Sequence, residues 1–175
     1  MEHEDEHGKE KSDKEEEKTT KIPEAFRKQI DGILTVYFSI QEALSQDKPE
    51  SVMNQSIKLQ EALKQVDMGQ LSGEAHMAWM KDLEVLNKQT KVLGSNHDIE
   101  RQREAFHLLS ESLITAVKRF GTGGDHFVVQ FHCPMAFDGK GADWLQDQED
   151  IQNPYFGAKM LKCGEQTAIL ANLSD

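Results

Sequence analysis

Cysteine is scarce. The chain has two, Cys133 and Cys163, too few for a disulfide-stapled scaffold but enough for one bridge or half of a metal site. No apolar run approaches the roughly 18 to 20 residues that span a bilayer, and the N-terminus has neither a basic n-region nor an apolar h-region. The chain as written is therefore expected to be soluble, not membrane-spanning and without an export signal. Nor does any block of Lys or Arg stand apart from acidic neighbours. With 31 acidic against 20 basic residues and a net charge of −11, nucleic acid and anionic membrane are poor partners. The loops that carry common chemistry are missing too: no serine nucleophile elbow, no GxGxxG or Walker loop, no HExxH. No catalytic turnover is expected, and no small-molecule substrate is identified. No internal repeat appears at periods of about 20 to 50 residues, and 175 residues leave room for one compact core.

What is present divides the chain into three stretches. Residues 1–21 hold nine acids and five lysines with Met1 as the only apolar residue, which cannot offset the entropy of ordering and reads as a disordered acidic tail or linker. His3 and His7 in that tail are weak metal ligands at most.

From Pro23 to Phe120 the apolar residues keep a helical period. Phe26, Ile30, Ile33, Tyr37, Ile40 and Leu44 step by 4, 3, 4, 3, 4. A second stripe, Val52, Leu59, Leu63 and Val66, starts at Pro49 and is expected to end near Gly69. A third, Trp79, Leu83, Leu86, Thr90 and Leu93, is expected to be capped by Ser72 and stopped by Gly94. A fourth, opened by Asn96, runs through Ile99, Phe106, Leu109, Leu113, Ala116 and Phe120 to Gly121. Four helices with short connections predict a mainly α fold, an antiparallel up-and-down four-helix bundle over residues 22–121.

After Gly121 the pattern changes. Gly-Thr-Gly-Gly breaks the helix, and His126–His132 reads as one short strand. Residues 122–175 are expected to form an irregular Cys/Met lobe packed on the bundle as part of the same domain, with Trp144, Tyr155 and Phe156 as its satellite core.

That lobe holds the chemistry. Each cysteine has a methionine close by, Cys133 with Met135 and Met160 with Cys163. Thiolate and thioether are soft donors, so the two pairs closing on one point would favour Cu(I) or Ag(I) over hard cations. Cys-Pro-Met sets two sulfurs on a rigid turn, and Met-Leu-Lys-Cys sets two on one face of a helical turn. Imidazole from His132 or His126 would move the site toward Zn²⁺, but the spacing is not that of a zinc finger. The residues leave three outcomes open: a soft-metal site, a Cys133–Cys163 disulfide, or inert buried thiols with methionines as packing. A Cys133 nucleophile activated by His132 is disfavoured, because adjacent residues of a strand face opposite ways. On the third helix His76 and Met80 share a face and are a second soft-ion candidate, although core packing by Met77, Trp79 and Met80 is the expected account. His107 reads as a boundary histidine.

The strings HCPMAFDGKGADWL and IQNPYFGAKMLKCGE resemble the C-terminal signature of an uncharacterised family of exported helical domains. These domains occur alone or appended to periplasmic adaptor (membrane-fusion) subunits of RND-type heavy-metal efflux pumps of the copper/silver class. AHMAWM and DIERQREAFHLLSESL are also similar to that family, so the resemblance spans about residues 23–168. The pattern falls on Cys133, Pro134, Met135, Gly141, Trp144, Leu145, Asn153, Pro154, Tyr155, Gly157, Met160, Leu161, Cys163 and Gly164. His132 departs from it, standing where members of the family often have Tyr, and is left out of the ligand set. The resemblance implies a periplasmic setting, an efflux adaptor or other pump component as partner, and residues 1–21 as a linker from an upstream adaptor domain. The expected metal ligands are Cys133, Met135, Met160 and Cys163.

Overall fold

The computed structural model describes residues 21–174, so the proposed tail, with His3 and His7, lies outside the described residues. Four long helices come first: α1 Glu24–Ser45, α2 Pro49–Lys64, α3 Gly73–Ser95 and α4 Ile99–Phe120. Three strands follow, β1 Val128–Cys133, β2 Ala142–Gln146 and β3 Glu165–Ala171. The protein is mainly helical, and among the described residues no helix is long and apolar enough to cross a membrane.

The stripes bury as their spacing requires. Phe26, Ile30, Ile33, Tyr37, Ile40 and Leu44 are all essentially inaccessible, as are Val52, Leu59, Trp79, Leu86, Phe106, Leu109 and Leu113. The helix ends differ from expectation in three places. α2 stops at Lys64, and Asp67 then caps a separate 3-10 turn, Met68–Gln70, by accepting the Gly69 N–H at 2.9 Å. Gly94 lies inside α3 rather than ending it; a Cβ there would sit 2.8 Å from Ser56 Oγ, so this glycine serves the close approach of α2 and α3. Asp98, not Asn96, caps α4, its Oδ1 accepting the Glu100 N–H at 3.0 Å. Ser72 occupies the N-cap of α3 but makes no side-chain cap bond. Gly121, at φ 79°, ends α4 as expected.

Consecutive helices pack on one another. At one end Phe26, Trp79 and Phe120 meet edge-to-face at centroid distances of 5.2 to 6.1 Å, joining α1, α3 and α4. Gln29, near the start of α1, donates to the Gln65 carbonyl just past α2, and Gln102, near the start of α4, donates to the Pro49 carbonyl.

The C-terminal region is more regular than expected. In place of one strand and an irregular lobe there is a three-stranded antiparallel sheet in the order β2-β1-β3. Phe131 of β1 and Trp144 of β2 are register partners and stack at 5.4 Å. β2 lies against α4 and α1. The buried Tyr37 hydroxyl joins all three, 2.7 Å from Ser110 Oγ and accepting the Leu145 N–H at 3.1 Å. Strand and helix residues share one hydrophobic core.

Candidate functional site

The two cysteines are delivered by different local devices. Cys133 is the last residue of β1 and is fully buried. Past it, Phe137 and Asp138 take left-handed conformations, φ 54° and 57°, and turn the chain back into β2. Cys163 precedes β3 in a loop organised by the buried Asn153. That side chain donates to the Cys163 carbonyl at 2.7 Å and accepts from the Tyr155 and Phe156 N–H groups. The β1–β3 register, which pairs His132 with Glu165, brings this loop over Cys133.

The outcome is a close thiol pair. Cys133 Sγ and Cys163 Sγ are 3.5 Å apart, both as free thiols, the second only half-buried. Burial pushes the Cys163 thiol above its ordinary pKa, helped by the hydrogen bond to Cys133 and its charge. Cys163 therefore keeps its proton at neutral pH, and a cation that binds it must displace that proton.

Met135 and Met160 come together elsewhere. They are 55% and 37% exposed and line a groove of about 780 Å³ with Phe137, Tyr155, Glu100 and Arg103; its walls include neither cysteine. The four predicted sulfurs are thus placed as a thiol pair and a thioether groove on adjacent segments. Among the described residues no trio of His, Cys, Asp or Glu is gathered closely enough to hold a metal.

The histidines are placed away from the thiols. His132 Nδ1 is 2.5 Å from Asp143 Oδ1, whose other oxygen accepts from Gln130. This row crosses the face of the sheet opposite Cys133, in keeping with strand alternation. His126 bonds Thr35 Oγ1 and the Asp31 carbonyl, and His107 packs on Phe137. On α3 the expected packing role of Met77 and Met80 does not hold, because they are 65% and 41% exposed while Trp79 alone is buried.

Sequence reasoning missed Asp143, which becomes the partner of His132 only once β2 is paired with β1. It also missed Arg103, a buried cation at the groove that looks in the sequence like any polar helix residue.

A family model described as protein of unknown function (DUF3347) matches residues 33–125. The matched stretch includes His76 to Met80 and ends before Cys133. No curated protein and no solved structure matches.

Proposed function

The chain belongs to the family described as protein of unknown function (DUF3347), and from that premise we propose that it is a soft-metal-binding domain of heavy-metal efflux. In this reading it is periplasmic, takes Cu(I) or Ag(I) on sulfur, and passes the ion to an efflux adaptor or other pump component. The observation that carries the metal reading is the 3.5 Å approach of the Cys133 and Cys163 sulfurs. Two thiolates sharing a tetrahedral ion at metal–sulfur bonds of about 2.3 Å lie about 3.8 Å apart, so a bound ion asks for a spread of a few tenths of an ångström. Met135 and Met160, two and three positions along the chain from these cysteines, are the soft donors next in sequence and complete the proposed sulfur set from the adjacent groove. Sulfur without a convergent imidazole favours the soft monovalent ions over Zn²⁺.

Resemblance of the C-terminal strings to efflux-associated domains supports the setting and the partner. The four helices act as the rigid support, an antiparallel up-and-down bundle. In its favour are the packing of consecutive helices and the meeting of the α1 start with the α2 end through Gln29 and Gln65. No turnover is proposed. The test is titration of the reduced protein with Cu(I) against a competing chelator, and unchanged affinity in a Cys133→Ser/Cys163→Ser variant overturns the reading.

The same sulfur approach favours a second reading, a structural interaction module of an efflux system in which the pair is oxidised to a disulfide and no metal binds. A thiol count on unreduced protein, paired with elemental analysis, separates the two: no free thiols and no metal is the second reading's outcome.

A further inference from the structure

Three of the seven methionines, Met68, Met77 and Met80, are exposed on the first turns of α3 and the 3-10 turn before it, the stretch that also carries His76. At about 100° per residue, His76, Met80 and Met77 fall within an arc of about 100° on the first turns of the helix, with Met80 between the other two. Trp79 lies outside this arc, about 60° beyond His76, and is buried in the core. Met68, 36% exposed, arrives from the preceding 3-10 turn, and its carbonyl lies 3.4 Å from His76 Nδ1.

Packing does not account for these side chains. Burying a methionine stabilises by about 1.5 to 3 kcal/mol; Met77 forgoes most of that at 65% exposure, and Met80 forgoes part of it at 41%. Their chemistry is the alternative. Thioether sulfur is a soft, neutral, polarizable donor. The Met68 carbonyl has no proton to give, so His76 Nδ1–H is the donor of that bond, and the tautomer leaves the Nε2 lone pair free. A backbone acceptor that fixes the tautomer and orients the ring is what a metal-ligating histidine ordinarily has.

We propose that Met68, His76, Met77 and Met80 form a second soft-cation site, which takes Cu(I) or Ag(I) through thioether sulfur and the Nε2 of His76. It is separate from the cysteine pair and rests on none of its residues. Its thioethers carry no proton to displace, so the ion enters without the deprotonation that Cys163 demands. Neutral ligands on an exposed helix face make an exchangeable site, suited to capture and release rather than storage.

The test is Ag(I), a redox-inert soft ion, titrated into the full chain carrying ¹³C-methyl methionine, with every methionine methyl followed separately. The methyls of Met68, Met77 and Met80 and the ring of His76 are expected to shift saturably. A Met77→Leu/Met80→Leu variant keeps the apolar surface and removes the sulfur; it should weaken this response by about tenfold or more while leaving that of Met135 and Met160 as it was. Methyls that stay in place through a clear excess of Ag(I), or a variant that responds as strongly as the parent, overturn the proposal. A response here with none at the cysteines would sink the cysteine-site reading alone, so the two fail separately.

Discussion

Arg103 of α4 places its guanidinium 2.8 Å from the carboxylate of Asp47, in the turn that closes α1. The same side chain donates to the Leu44 carbonyl at 3.0 Å and to the Pro154 carbonyl at 2.8 Å, and the other Asp47 oxygen accepts the Ala158 N–H. One buried cation thus fastens α1, α4 and the loop that delivers Cys163. Arg103→Ala strands the Pro154 carbonyl and a partly covered carboxylate and takes one of two donors from the Leu44 carbonyl, which keeps the Asp47 N–H, and should cost about 2 to 4 kcal/mol in urea unfolding. Arg103→Lys should recover little, because one ammonium cannot reach the separate acceptors that the planar fork spans.

Tyr37 and Ser110 give an asymmetric pair of substitutions. Tyr37→Phe leaves the buried Leu145 N–H without its acceptor and should cost about 1 to 3 kcal/mol. Ser110→Ala removes only the 2.7 Å hydroxyl contact and keeps the bond to Leu145, so it should cost less. Equal losses in thermal unfolding would mean that the bond to the sheet contributes nothing.

Asp31 accepts from the Gly123 and Asp125 N–H groups and so pins the loop between α4 and β1. Burial raises its pKa above the ordinary value of 3.8, against the lowering effect of those two donors. The folded state then binds the proton more tightly than the unfolded chain. This group's contribution to stability is complete below about pH 3.8 and is lost as pH rises through the raised folded value. Asp47 and Asp125 are shifted downward and act with the opposite sign, so the readout is a difference. The stability of the parent minus that of Asp31→Asn should fall between pH 3.8 and neutrality; a flat difference would refute the assignment.

The helices were legible in the sequence because a single buried stripe at a period of 3.6 is a strong signal, and Phe26 to Leu44 carry it without a gap. The sheet was not. β2 is buried on nearly every residue, so Ala142–Gln146 lacks alternation, and β3 at the sheet edge is mostly exposed. Only pairing to β1 identifies either as a strand. The Met-containing pattern around the cysteines leaves their proximity open, because only the β1–β3 pairing brings Cys163 over Cys133, and the placing of Met135 and Met160 in a groove depends on the turn at Phe137 and Asp138. The exposure of Met77 and Met80 was misjudged because apolar composition alone does not say which face of α3 is covered.

The thiols should label unequally. Cys133 is fully buried, and Cys163, half-buried, holds its proton because burial raises its pKa. At neutral pH iodoacetamide should modify Cys163 first, more slowly than a free thiol, and Cys133 only on unfolding. Intact-mass measurements over time check this. Rapid modification of either thiol in the folded protein would favour an exposed reactive cysteine and count against a site that holds its protons until a cation arrives.

Gly157 tests whether the Arg103 clamp and the Cys163 loop are one unit. Its φ is 59°, and a Cβ there would lie 2.2 Å from Asp47 Oδ1 and 2.7 Å from Arg103 Nη2. Gly157→Ala therefore pays about 1 to 2 kcal/mol for the left-handed backbone and must also push the ion pair apart. With Arg103 already trimmed to Ala, the contact with Nη2 is gone and Asp47, held only by the Ala158 N–H, gives way more easily, so the double variant should cost clearly less than the two single losses combined. Additive losses would mean that the glycine acts only through its backbone. The Gly157 N–H donates to the Asn153 carbonyl at 3.1 Å, and Asn153 holds the Cys163 carbonyl. Gly157→Ala should therefore also speed alkylation of Cys163, an effect that a purely local strain at Gly157 would not produce.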